Sequence, residues 1–155
     1  MKLIIAGSRT LVEPPLYLID EALAEIHQLI YPRSLPITEV VSGLATGIDT
    51  LGLKWAQAHD IPTQTFPARW KLHGSAAGTI RNVQMARYAD VLLAIWDTQS
   101  FGTLDMISQM RTLSKPTFVY KMNTTATSPW TLEAYFTHCL PKLPTQVSYE
   151  ESNHA

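Results

Sequence analysis

The chain has 155 residues with a formal net charge of -1, from 12 Lys plus Arg against 13 Asp plus Glu, so no global field draws it to a polyanion and a nucleic acid partner is disfavoured. That length is about one domain, able to bury roughly two-thirds of its unfolded surface without a disulfide or metal staple. With 46% hydrophobic and 16% charged residues the composition is that of a globular chain, and a single cysteine, Cys139, excludes an internal disulfide.

The opening MKLIIAGSR lacks a signal-peptide apolar region, and the apolar run Val91 to Trp96 falls far short of the ~20 residues of a spanning helix. A cytoplasmic protein with no membrane partner is expected. Leu3 to Ala6 reads as a buried strand closed by Gly7 and Ser8. A helix follows, with Pro14 and Pro15 in its first turn, Leu16, Ile19, Leu23, Ile26 and Ile30 along one face, and Pro32 as its stop. Ile37 to Val41 repeats the strand, ending at Ser42-Gly43. Thr46 or Gly47 then starts a helix that turns Ile48, Leu51, Trp55 and Ala58 to the core and runs to His59.

Thr63 to Phe66 reads as a third strand, and Ala68 to Ser75 as a loop over the sheet edge. Ala76 to Tyr88 suits a helix and Val91 to Trp96 a central parallel strand. Thr103 to Leu113 carries Leu104, Ile107 and Met110 at helical spacing, as core or as a subunit contact, and Thr117 to Tyr120 is a last strand. The alternation predicts an α/β, Rossmann-like, three-layer domain over residues 1–122, built on a mainly parallel, doubly wound sheet of five or more strands. Residues 123–155 read as an extension, with a helix over Trp130 to His138 and a mobile tail.

In such a sheet ligands bind where the loops leave the carboxyl ends of the strands, facing helix amino termini. Three turns there share one composition: Gly7, Ser8 and Arg9; Ser42, Gly43, Thr46, Gly47 and Asp49; Asp97, Ser100, Gly102 and Thr103. Glycine admits a phosphate to the backbone, hydroxyls donate to its oxygens, and arginine pairs with its charge. Arg9 and Arg81 read as ligand contacts, with a solvated position as the alternative for each. Asp49 is either a ligand contact or a carboxylate favouring its helix's first turn. Trp70, with His73, is either a lid that stacks on a base or a packed ring. The five histidines lie at no ligand spacing, so no metal is expected. Cys139 has no nearby base, and Ser42 lacks the nucleophile-elbow pattern.

The strings IIAGSR, SGLATGIDTLGLKWA (Ser42 to Ala56), AAGTIRN (Ala76 to Asn82) and SFGT (Ser100 to Thr103) resemble the SLOG superfamily and, within it, the YspA-type branch. The resemblance spans about residues 2 to 120. It implies a pocket for nucleotides or NAD-derived molecules such as ADP-ribose and its cyclic forms, with no further cofactor. It also implies a homo-oligomer, and a sensor or sequestering protein in signalling and in conflict between phages and bacteria. Carried over by position, the pocket uses Gly7, Ser8, Arg9, Ser42, Gly43, Gly47, Asp49, Arg81, Asn82, Ser100, Gly102 and Thr103.

Two relatives sharpen the expectation. The LONELY GUY phosphoribohydrolases carry PGGxGTxxE with a catalytic glutamate, whereas QSFGTLDM here puts Met106 at that position. A nucleoside monophosphate hydrolase would then depend on Asp49, Asp97 or Asp105, the last turned about 100° away along the helix. The DNA-processing protein A family has a segment like SGLATGID and binds single-stranded DNA, for which Trp70 between Arg69 and Lys71 is the one stacking candidate.

Overall fold

Strand β1 (Lys2–Gly7) is buried from Leu3 onward, as a central parallel strand must be when helices cover both sheet faces. The computed structural model describes residues 1–11, 13–30, 36–123 and 130–138. Pro14 and Pro15 lead into helix α1 (Tyr17–Ile30), where the amides of Leu18 and Ile19 bond the carbonyls of Pro15 and Leu16 at 3.2 and 3.0 Å. Its buried face is Leu18, Ile19, Ala22 and Ile26, while Leu16 lies ahead of the helix and is 37% exposed. The apolar register therefore starts two residues later than expected. Pro32 lies outside the described residues.

Strand β2 (Glu39–Ser42) begins where its ladder with β1 begins, Lys2 opposite Glu39. Helix α2 (Ile48–Ala58) buries Ile48, Leu51, Trp55 and Ala56, and Ala58 is exposed instead. After the short edge strand β3 (Thr63–Thr65), the expected loop contains a one-turn helix, α3 (Trp70–His73), and a 3-10 turn over Gly74–Ala76. Then come α4 (Ala77–Tyr88), the fully buried β4 (Val91–Trp96), α5 (Phe101–Thr112), β5 (Thr117–Asn123) and β6 (Thr131–His138).

The sheet order is β3-β2-β1-β4-β5-β6. The first five strands run parallel, and β6 lies antiparallel to β5, with a register irregularity between Val119 and Tyr120. The expected carboxy-terminal helix is thus a strand, because the open edge of β5 offers unpaired N–H and C=O groups that Thr131 to His138 satisfies. That strand, from the segment read as an extension, belongs to the same sheet.

Helices α1 and α2 pack on one face of the sheet, around Leu3, Ile5 and Phe118. On the other face α4 and α5 pack, around Ile4, Leu92 and Ala94. Each fully buried aliphatic or aromatic side chain in these layers contributes about 1.5–3 kcal/mol. Ile107 and Met110 are core, whereas Leu104 is 43% exposed. Among the described residues no helix is long and apolar enough to cross a membrane. The strand order reverses between β1 and β4, which opens a crevice beyond their carboxyl ends.

Candidate functional site

A cavity of about 600 Å³ lies at that reversal, lined from β1, the β1 and β2 turns, α3, α4 and α5. In the first turn the Gly7 amide donates to Asp49 Oδ1 at 3.3 Å. Ser8 is fully buried: its amide donates to the Ile95 carbonyl at 3.1 Å, and its Oγ accepts from the Asp97 amide at 2.8 Å. Ser8 therefore ties the β1 turn to the β4 turn from behind and does not line the cavity, whereas exposed Arg9 does.

The β2 turn is packed shut. Ser42 Oγ donates to the Asp49 carbonyl and accepts from the Leu44 amide, both at 3.2 Å. Leu44 has φ 63, and Gly47 has φ 82 with a hypothetical Cβ only 2.5 Å from the Ser8 carbonyl oxygen. Only glycine fits at 47, because the turn needs a left-handed residue against another backbone. The Gly43 carbonyl accepts from Arg81 Nη1. Of this turn only Ala45 and Asp49 reach the cavity; Ser42, Gly43, Thr46 and Gly47 do not.

Asp49 is 5% exposed and accepts from the amides of Gly7 and Ala45, each at 3.3 Å. Burial pushes its carboxyl up to about 6, against the Ala45 N–H, the charge of Arg81, the Gly7 N–H and the charge of Arg9. Arg81, from α4, is only 9% exposed, which rules out a solvated role for it. Burial pulls its guanidinium below the ordinary arginine value, while the charge of Asp49 acts in the opposite direction. Its Nε donates to Asn82 Oδ1 at 2.9 Å. Asn82 Nδ2 in turn donates to the Gly102 carbonyl at 3.2 Å and to Asp105 Oδ2 at 2.8 Å. One arginine and one asparagine thus join the β2 turn, α4 and the start of α5.

The β4 turn is different. Asp97 takes the amides of Gln99 and Ser100, both at 2.8 Å, and the hydroxyls of Thr10 and Ser100 at 2.9 and 3.1 Å. Burial raises its carboxyl, but the Gln99 and Ser100 amides and the Thr10 and Ser8 hydroxyls outweigh it and hold the group well below the ordinary range. Asp97 braces the turn and does not line the cavity; Ser100, Gly102 and Thr103 do. A Cβ on Gly102 would meet nothing within 4 Å. Thr103 is 5% exposed, and its hydroxyl has no hydrogen-bond partner among the described residues. The first turn of α5 is accordingly an open rim of amides and one free hydroxyl.

Asp105 lines the cavity too, contrary to the expectation that it faces away, because Asn82 holds its carboxylate toward α4. Met106, where the phosphoribohydrolases have glutamate, is 2% exposed and packs in the core, and it forms part of the cavity wall as well. Trp70 is 51% exposed on the cavity lining, with its ring edge at Gly78, while His73 is not among the lining residues. Thr10, Ala45, Gly78, Thr79 and Phe101, which turn composition alone does not single out, also line it. Gly78, Thr79 and Phe101 sit inside the strings AAGTIRN and SFGT, so adjacency to the selected residues is the signal that points to them. Among the described residues no group of three or more His, Cys, Asp or Glu could hold a metal ion.

Residues 1–73 match the model of the YspA, cpYpsA-related SLOG family. The chain is also 37% identical over 70 residues to the Gene 61 protein of Mycobacterium phage D29, a match covering 41% of this chain and 56% of that protein. The chain spans about half the length of the curated relative it matches. The family match ends before α4 and α5, so the roles of Arg81, Asn82, Gly102 and Thr103 rest on geometry.

Proposed function

For a chain whose residues 1–73 carry the YspA, cpYpsA-related SLOG pattern, we propose binding of a nucleotide- or NAD-derived small molecule, of the ADP-ribose or cyclic-nucleotide class. The chain acts as a sensor or sequestering protein. The observation that carries this reading is the open first turn of α5, where Gly102 leaves space and Thr103, a residue only 5% exposed, lines the cavity with a hydroxyl that has no protein partner among the described residues. A phosphate group fits there: it takes the helix's free amides and the hydroxyl, and it meets the positive charge of Arg9 across the cavity. The β2 turn offers no equivalent place, since the Asp49 carboxylate already takes the Gly7 and Ala45 amides and sets a carboxylate in the first turn of α2.

A second reading has one observation in its favour, the Asp105 carboxylate in the lining. In an N-glycosidic hydrolase, water would add to the anomeric carbon as the base departs with a proton, and Asp105 would activate that water. The test is a thermal-shift screen against AMP, ATP, NAD, ADP-ribose, its cyclic isomers and cyclic dinucleotides, with chromatography of each mixture afterwards. A raised melting temperature with the ligand intact is expected, since a ligand that binds the folded state stabilises it by mass action. Free base released by the wild type but not by Asp105→Asn would make it a hydrolase. No shift with any compound would overturn both readings.

A further inference from the structure

Four aromatic side chains are substantially exposed among the described residues: Tyr17, Trp70, Phe101 and Tyr135. Two of them have evident partners. The Tyr17 hydroxyl donates to the Trp130 carbonyl at 3.4 Å, and Tyr135 meets the Trp96 ring edge-on at a centroid distance of 5.7 Å. Trp70 and Phe101 have neither a ring contact nor a side-chain hydrogen bond among the described residues. These two are also the exposed aromatics that line the cavity.

Neither ring is explained by folding. Phe101 is the first residue of α5, where a phenyl group caps nothing, and it is 84% exposed. Trp70 is the first residue of α3 and is 51% exposed, with its far edge, Cη2, lying 3.5 Å from where a Cβ on Gly78 would stand. The indole is thus positioned at the first turn of α4, and the phenyl at the first turn of α5. Asn82 links those two helices through the Gly102 carbonyl.

The geometry points to Trp70 and Phe101 as a stacking subsite for a planar heteroaromatic base, next to the phosphate-binding turn that begins at Gly102. This rests on the nucleotide reading above and adds which part of the ligand is recognised where. Two rings at the open side of a cavity give a base apolar faces that water cannot, and stacking of this kind tolerates different bases because each has a π-face. A ligand without a base, such as ribose 5-phosphate, would leave both rings in water.

Calorimetric titration with AMP, ADP-ribose and ribose 5-phosphate tests this on the wild type and on Trp70→Ala, Phe101→Ala, the double variant and Trp70→Phe. Both side chains are exposed, so the variants are expected to fold. AMP or ADP-ribose should bind roughly tenfold or more tighter than ribose 5-phosphate, and quench tryptophan emission in the wild type. The double variant should lose that advantage while binding ribose 5-phosphate as before, and Trp70→Phe should keep most of it. Equal binding of base-bearing and base-free probes by the wild type would overturn the stacking subsite and leave the nucleotide reading standing. So would variants that lose both kinds of probe alike, or neither. If none of the three binds the wild type, the stacking subsite is overturned, and the wider screen of nucleotides and cyclic nucleotides decides the nucleotide reading separately.

Discussion

The turn after β2 and the turn after β4 look alike in the sequence, each with glycine, hydroxyl residues and an aspartate, yet they do opposite jobs. In the β2 turn Gly47 lies against the Ser8 backbone, Gly43 against the Arg81 guanidinium, and Ser42 and Asp49 spend their polar atoms within the protein. In the β4 turn the aspartate is consumed, by four donors, while the start of α5 beside it stays open. A glycine that excludes its neighbours' atoms and one that invites a ligand's atoms cannot be told apart by composition. They differ in what a Cβ would meet.

The largest test of this contrast is at the packed glycines. Gly47→Ala introduces a side chain at φ 82 and 2.5 Å from the Ser8 carbonyl oxygen. A loss of about 3 kcal/mol or more is expected, read from the urea midpoint at constant m-value. An unchanged midpoint would mean that the turn is not packed as described.

Next in size is the titration of Asp49. An unfolded carboxyl releases its proton near 3.8, and this one near 6 when folded. Between those values the native state holds a proton that the unfolded state has lost, so stability falls as pH rises through the window. The contribution is complete below about pH 4 and lost above about pH 6, with a span of up to about 3 kcal/mol. Asp97 is shifted in the opposite direction, and its contribution is lost only as pH falls below the ordinary carboxylate range. Denaturation curves collected from pH 4 to 6 should show this slope in the wild type and a flatter profile in Asp49→Asn. The same slope in both would assign it to other groups.

The open turn should respond in the reverse sense. Gly102→Ala places a methyl where nothing lies within 4 Å, in the first turn of a helix, and should stabilise the fold by about 0.5–1 kcal/mol. The same change should weaken binding of the phosphate-bearing ligand, which a melting temperature and a titration measure together. Thr103→Val should likewise leave stability within about 1 kcal/mol of wild type, since its hydroxyl has no partner to lose. Weaker binding by this variant would locate the ligand at α5. Smallest of all, Thr46→Ala, at an exposed position off the cavity lining, should change stability and binding by no more than about 0.5 kcal/mol.

The alternation of apolar runs with helical spacing is enough to identify five parallel strands and their helices, and it places Val91 to Trp96 to the residue. The site's edge of the sheet comes from the same pattern, because ligands bind beyond the carboxyl ends of parallel strands. The segment Thr131 to His138 is a strand rather than the expected helix, although Leu132, Ala134 and Phe136 alternate with other residues, a period-two signal hidden by helix-compatible spacing. Its strand state depends on a vacant ladder along β5, a long-range fact that no local window contains.

The layers, the order of the elements and the strings that carry the family pattern are all legible in the chain, because they depend on periodicity and on turn chemistry between near neighbours. Which polar residues serve the fold and which face the cavity is settled only once the chain is folded. Ser8, Ser42 and Asp97 turn inward to hold separate turns together. Thr103, Asp105, Trp70 and Phe101 remain at the cavity wall. That division depends on whether a donor, an acceptor or a ring finds its partner across the fold, and residues tens of positions apart must be brought together before it is fixed.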